Sequence, residues 1–157
     1  MDYLVNLSLL TPNPQLDARM TAAGVTIRRP LAPEALMVTE WVSEKFGKGW
    51  ASEMAVALTR QPPTCFIATR GRKLVGFACH EAIARGFFGP TGVDEAARGL
   101  GIGHALLLAS LFDLRTMGYG YAIIGDVGPA PFYEKTVGAI PIPNSAPGVY
   151  AGMLDIQ

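Results

Sequence analysis

The chain has 157 residues, 50% of them hydrophobic, with 13 Lys+Arg against 13 Asp+Glu and a net charge of zero. That length sets one domain as the default, and the charge balance excludes the basic face that nucleic acid or an anionic membrane would select. No stretch approaches the roughly 18 apolar residues of a membrane span, and MDYLVNLSLL lacks the basic start and cleavage site of a secretory signal, so a cytoplasmic protein is expected.

Residues 1–10 hold an apolar run closed by TPNP, a turn signal, which predicts an extra edge strand or an arm. VTIRRP (25–30) alternates apolar and charged residues, as a half-buried strand does. Pro33 suits a first helical turn. Val38, Trp41, Val42, Lys45 and Phe46 follow at helical spacing until Gly47. A second helix is expected over 51–60, ended by QPP. CFIAT (65–69) and KLVGFACHEA (73–82) read as a hairpin joined at RGR.

FFGPTGV (87–93) is a further strand, and Pro90 cannot donate to a ladder, so this strand has to bulge. A helix then carries Leu107, Leu111 and Leu114 on one face, with Arg115 in its last turn and Gly118 as its stop. YAIIGD (121–126) is a continuous apolar run, typical of a buried parallel strand. PAPFYEKTVGA (129–139) predicts a short helix, and IPIP (140–143) and GVYAGML (148–154) the last strands. The order is that of an α/β protein on a mixed sheet. Cys65 and Cys79 sit in apolar runs without metal or redox spacing, so reduced core thiols and no metal are expected. Charged residues make up 17%, against roughly 25% in soluble domains, which leaves apolar surface for a second copy of the chain.

The segment between the third strand of the hairpin region and the helix reads ARGLGIGHALL (97–107). The first turn of a helix has unpaired N–H groups and partial positive charge, and glycines let a phosphate approach them. Strand, Arg98-Gly99-Leu100-Gly101-Ile102-Gly103, then helix is therefore a phosphate cradle on mechanical grounds, with Arg98 as an added cation. The bland alternative is a glycine turn that only lets helix and strand pack. The string lacks GxxxxGK[ST], and neither Gly99 nor Gly101 starts a GxGxxG.

Val93-Asp-Glu-Ala-Ala-Arg98-Gly-Leu-Gly101-Ile-Gly103 resembles the acyl-coenzyme-A signature V-x-P-x-x-[RQ]-x-x-G-x-[GA] of the GCN5-related N-acetyltransferase (GNAT) superfamily. Glu95 stands where proline is common. FYEKTVGA (132–139) is similar to that family's FYEKxGF, and the element order from residue 25 onward agrees. The resemblance implies a mostly antiparallel sheet with one splayed parallel pair, flanked by helices, over residues 25–157, with 1–24 as an extension. It implies acetyl-CoA as co-substrate, held by Val93, Arg98, Gly99, Leu100, Gly101, Ile102, Gly103, His104, Asp126 and Tyr133. It also implies Tyr133 as general acid for the departing thiolate and the Val93 N–H as donor to the oxyanion.

The acceptor would be the amine of a small molecule. Phe46, Trp50 and Phe87 border its expected site, and His80 and Glu81, neighbours at a strand end, are candidate polar groups there. No general base can be assigned from the sequence. A non-catalytic acyl-CoA sensor is the alternative reading.

Overall fold

The computed structural model describes residues 1–155. In chain order they form β1 (Tyr3–Asn6), α1 (Pro14–Ala22), β2 (Val25–Arg28), α2 (Ala35–Phe46), α3 (Lys48–Thr59), β3 (Cys65–Arg70), β4 (Lys73–His80), β5 (Phe87–Val93), α4 (Ile102–Thr116), β6 (Tyr121–Ile124), α5 (Ala130–Val137) and β7 (Ile140–Pro141). One mixed sheet runs β2-β3-β4-β5-β6-β1-β7. Every neighbouring pair is antiparallel except β5 and β6.

Period-two alternation divides the strands between two cores. Along β4, Ala78 belongs to the cluster under α4, with Leu106, Leu107, Leu111 and Leu114. Its neighbours Phe77 and Cys79 face the other side, under α2 and α3, with Val38, Val42 and Met54. Both cysteines are free and buried in that second cluster, and burial pushes the Cys65 thiol up to about 12.

The bulge that Pro90 demands is present. Ala78 pairs with Thr91 while His80 pairs with Phe88, so β5 has two residues, Gly89 and Pro90, opposite Cys79 alone. The parallel pairing covers only Phe87↔Ile123 and Phe88↔Ile124. Beyond Phe88, β5 runs on to Val93 without a partner on that side, and the sheet opens into a slot.

Two expectations are corrected, and one unassigned segment is filled. β1 is neither an edge strand nor an arm. It lies between β6 and β7, and Val5, Leu7, Leu16 and Met20 of the first 24 residues belong to the core under α4. Residues 14–22, for which the sequence predicts no element beyond the TPNP turn, form a helix: Pro14 takes the first position and the Asn13 side chain accepts from the Leu16 N–H at 3.0 Å. GVYAGML forms no strand. Residues 148–150 make a 3₁₀ turn, and IPIP contributes only Ile140–Pro141 to the sheet, since its prolines have no N–H to donate.

At the end of β4, His80 is fully buried with Nε2 2.6 Å from Asp113 Oδ2, and Arg29 donates to the other carboxylate oxygen at 2.7 Å. Asp113, held ionised by Arg29, can only accept, so His80 Nε2 carries the proton and Nδ1 is left with no partner. Charging the ring would bury a second N–H unpaired, and burial accordingly lowers the His80 pKa. His104, the other of the chain's two histidines, is lowered as well, by burial and then by Arg19. Both folded-state pKa values lie below the usual ~6.5, so the unfolded chain binds more protons below that pH and stability is lost as the pH falls through it. The urea midpoint is expected to drop between pH 7.5 and pH 5.5, and to drop less in His80→Gln. An equal drop in both proteins would assign the proton uptake elsewhere.

Candidate active site

The slot between β5 and β6 is one wall of a cleft of about 730 Å³. Thr91, Gly92 and Val93 of β5 line it, with the 98–104 turn, Pro129, Phe132 and Tyr133, and with Phe46 and Trp50 over the top. Gly92 is small because Phe46 presses on it: a methyl there would sit 2.6 Å from the ring. Phe46 in turn stacks on Trp50 with centroids 5.4 Å apart.

The Asp94 N–H donates to Val75 O at 2.8 Å, so residue 94 faces β4. Backbone groups alternate along a strand, so the N–H and C=O of Val93 face the opposite way, into the slot. The Val93 carbonyl accepts from Arg98 Nε at 3.4 Å, while its N–H has no protein acceptor among the described residues. The result is a free backbone donor at the head of the cleft.

Asp94 opens a 3₁₀ turn by accepting from the Ala96 N–H, and the chain then needs left-handed backbone to enter α4. Gly99 (φ +85) and Gly101 (φ +94) supply it. Gly101 is the N-cap of α4 and offers no side-chain acceptor, so the first N–H groups of a 15-residue helix face the cleft uncapped. Arg98 is exposed beside them. This arrangement can hold an anion such as a phosphate.

Tyr133 comes from the first turns of α5 and packs edge-on to Phe88 and Phe132. It is 5% exposed, lines the cleft, and its hydroxyl has no protein partner among the described residues. Burial pushes its pKa up to about 12, above the ~10 of a free phenol. It therefore stays protonated, and its hydroxyl is free to donate a hydrogen bond.

A second cleft, of about 550 Å³, lies against the first and shares Trp50 and Phe88 with it. Its other lining residues include Lys48, Ser52 and Glu53 of α3, Ile83, the β5 bulge, Asp126, Tyr150 and Met153.

The structure thus gathers Val93, Arg98, Gly99, Gly101, Ile102, Gly103, His104 and Tyr133 around one cleft, with Phe46 and Trp50. Leu100 packs against the core instead. Asp126 lines the second cleft, where its carboxylate lies 3.7 Å from the Met1 ammonium. Phe87 lines neither, and its ring lies beneath Gly125. His80 and Glu81 line neither cleft: His80 is committed to Asp113, and Glu81 accepts from the Gly86 N–H and from the Tyr119 hydroxyl at 3.0 Å. Neither is placed to meet an acceptor. Glu53, Tyr150 and Met153 carried no motif and were found only through the second cleft.

Residues 35–139 match the sequence model of the acetyltransferase (GNAT) family, two thirds of the chain. The chain belongs to this family. No curated protein matches the sequence of this GNAT chain. Its fold is similar to a GCN5-related glucosamine N-acetyltransferase region of a fungal multi-domain GH3 β-N-acetylglucosaminidase, at TM-score 0.71 and 16% identity over 87% of this chain and 19% of that one. It is also similar to a GCN5-related N-acetyltransferase from Sphaerobacter thermophilus, at TM-score 0.64 and 20% identity over 88% of this chain and 47% of that one. A GNAT acetyltransferase from Brucella melitensis, solved in complex with acetyl-CoA, aligns at TM-score 0.50 and 21% identity over 72% of this chain and 81% of that one. The chain spans about a fifth and about half of the first two of these proteins. Among the described residues no helix is long and apolar enough to cross a membrane.

Proposed function

We propose that this GNAT chain transfers an acetyl group from acetyl-CoA to the amine of a small molecule by direct attack. The observation that carries the reading is the convergence, on one cleft, of the free Val93 N–H, the uncapped start of α4 and the partnerless Tyr133 hydroxyl. The Brucella relative, bound to acetyl-CoA, supports the choice of cofactor. In this reading the α4 N-terminus and Arg98 take the pyrophosphate, and the pantetheine arm runs along β5 into the slot.

The amine nitrogen, as the free base, attacks the thioester carbonyl. As the C–N bond forms, the carbonyl oxygen gains charge and accepts from the Val93 N–H. The C–S bond then breaks. The sulfur takes the Tyr133 proton and ends as a thiol, while the nitrogen loses one proton to become an amide; that proton, relayed through water, restores the Tyr133 hydroxyl. A purely sensory role is the other reading, and the engagement of His80 and Glu81 elsewhere is the observation that keeps it in view.

Calorimetric titration with acetyl-CoA tests the cradle. Wild type is expected to bind in the micromolar range, and Arg98→Glu about tenfold or more weaker, since it sets an anion beside the phosphates. Thiol release over a panel of amines then separates enzyme from sensor. Equal binding by both proteins would leave the glycines as packing residues.

A further inference from the structure

We propose that the second cleft is the acceptor site, and that Glu53 makes it select a cationic primary amine on a compact apolar body, against amines that also carry a carboxylate. The inference rests on the acetyltransferase reading above. The two clefts meet at Trp50 and Phe88, the level at which β5 and β6 part. An amine in the second cleft would thus approach a thioester seated in the slot from the far side.

The walls set the body of the ligand. Trp50, Phe88, Ile83, Met153 and the Tyr150 ring offer apolar surface, and a volume of about 550 Å³ suits a small molecule. Charge sets the head. Glu53 is half-buried on α3, and among the described residues no lysine, arginine or ammonium lies within 4 Å of it. Its desolvation is uncompensated, and burial raises its pKa accordingly. An ammonium docked there restores a partner and gives one proton to solvent before it attacks as the free base; a neutral or anionic head gains no such partner.

The other acidic groups are weaker candidates. Asp126 is largely in water and faces the Met1 ammonium, and Asp2 already accepts from the Asp126 N–H at 2.9 Å. Tyr150 is pushed up to about 12 by burial first, then by Glu53, Asp126 and Asp2, so its hydroxyl stays protonated beside the proposed amine position. Lys48 is the one cation lining this cleft among the described residues; it is exposed at its rim.

The test is thiol release with acetyl-CoA and three probes: 2-phenylethylamine, phenylalanine, which adds a carboxylate to the same body, and glucosamine, which has a polar body. The first is expected to give a kcat/KM at least tenfold above either of the others. Glu53→Gln should raise its KM about tenfold or more, with the acetyl-CoA KM and the kcat within about threefold of wild type. Glu53→Asp, which keeps the charge, should recover part of that loss; a merely structural Glu53 would not split the parameters in this way. Preference for phenylalanine would hand recognition to Lys48 and overturn the proposal, as would a KM indifferent to Glu53→Gln. Acetyl-CoA binding without thiol release from any probe would overturn the enzyme reading, and the proposal with it.

Discussion

Tyr133→Phe is expected to lower kcat by about a hundredfold or more while leaving acetyl-CoA affinity within about threefold of wild type. The hydroxyl is the only atom removed, and it bonds to no protein group among the described residues, so the fold loses nothing with it. The ring's edge contacts with Phe88 and Phe132, at 6.3 and 5.1 Å between centroids, remain. What disappears is the proposed donor to the leaving sulfur. With a pKa near 12 the phenol stays protonated throughout the working range, so the wild-type rate should show no alkaline limb from its ionisation below about pH 10. Rate constants and calorimetry on the pair settle it. A phenylalanine variant as fast as wild type would assign Tyr133 to packing.

Gly103→Leu is expected to leave folding stability unchanged or slightly higher while weakening acetyl-CoA binding about a hundredfold. Gly103 lies inside α4 with ordinary helical backbone, and a Cβ there would meet only Val93 Cγ2, at 3.8 Å. Leucine is a better helix former than glycine. Its side chain would occupy the space where, in the proposed reading, the phosphates approach the helix N–H groups. Stability and affinity thus move in opposite directions, which a glycine kept for packing would not allow. Thermal unfolding beside calorimetric titration measures both. Retained affinity would move the phosphates off this turn.

The glycine turn was legible because it is local. Strand, glycines and helix start lie within about a dozen residues, and Gly99 and Gly101 answer a backbone need while Gly103 leaves open space before Val93. The bulge at Pro90 was legible for the same reason. His80 and Glu81 show the limit. Their chemistry could be read, but their partners Asp113 and Tyr119 lie 33 and 38 residues further along and take both away from the clefts.

Glu53 shows the converse. It stands in an unremarkable helical stretch and gains its setting from Ile83, Asp126, Tyr150 and Met153, which the fold alone brings to it. The interior place of β1 is not legible because YLVN carries no sign of which strand it joins, and TPNP holds both a turn signal and the Asn13-Pro14 helix cap.

The placement of β1 also governs how the molecule is made. Tyr3 pairs with Ile124, so β1 leaves the ribosome more than a hundred residues before its neighbour exists. Closing so long a loop is slow, and until then β1 is an apolar ribbon with open edges. β6, the outer lip of the slot, has only two residues of pairing to β5 and is otherwise secured by β1. The slot depends on that pairing, so a chain in which β1 has not yet joined β6 carries its glycine turn beside an unfinished slot.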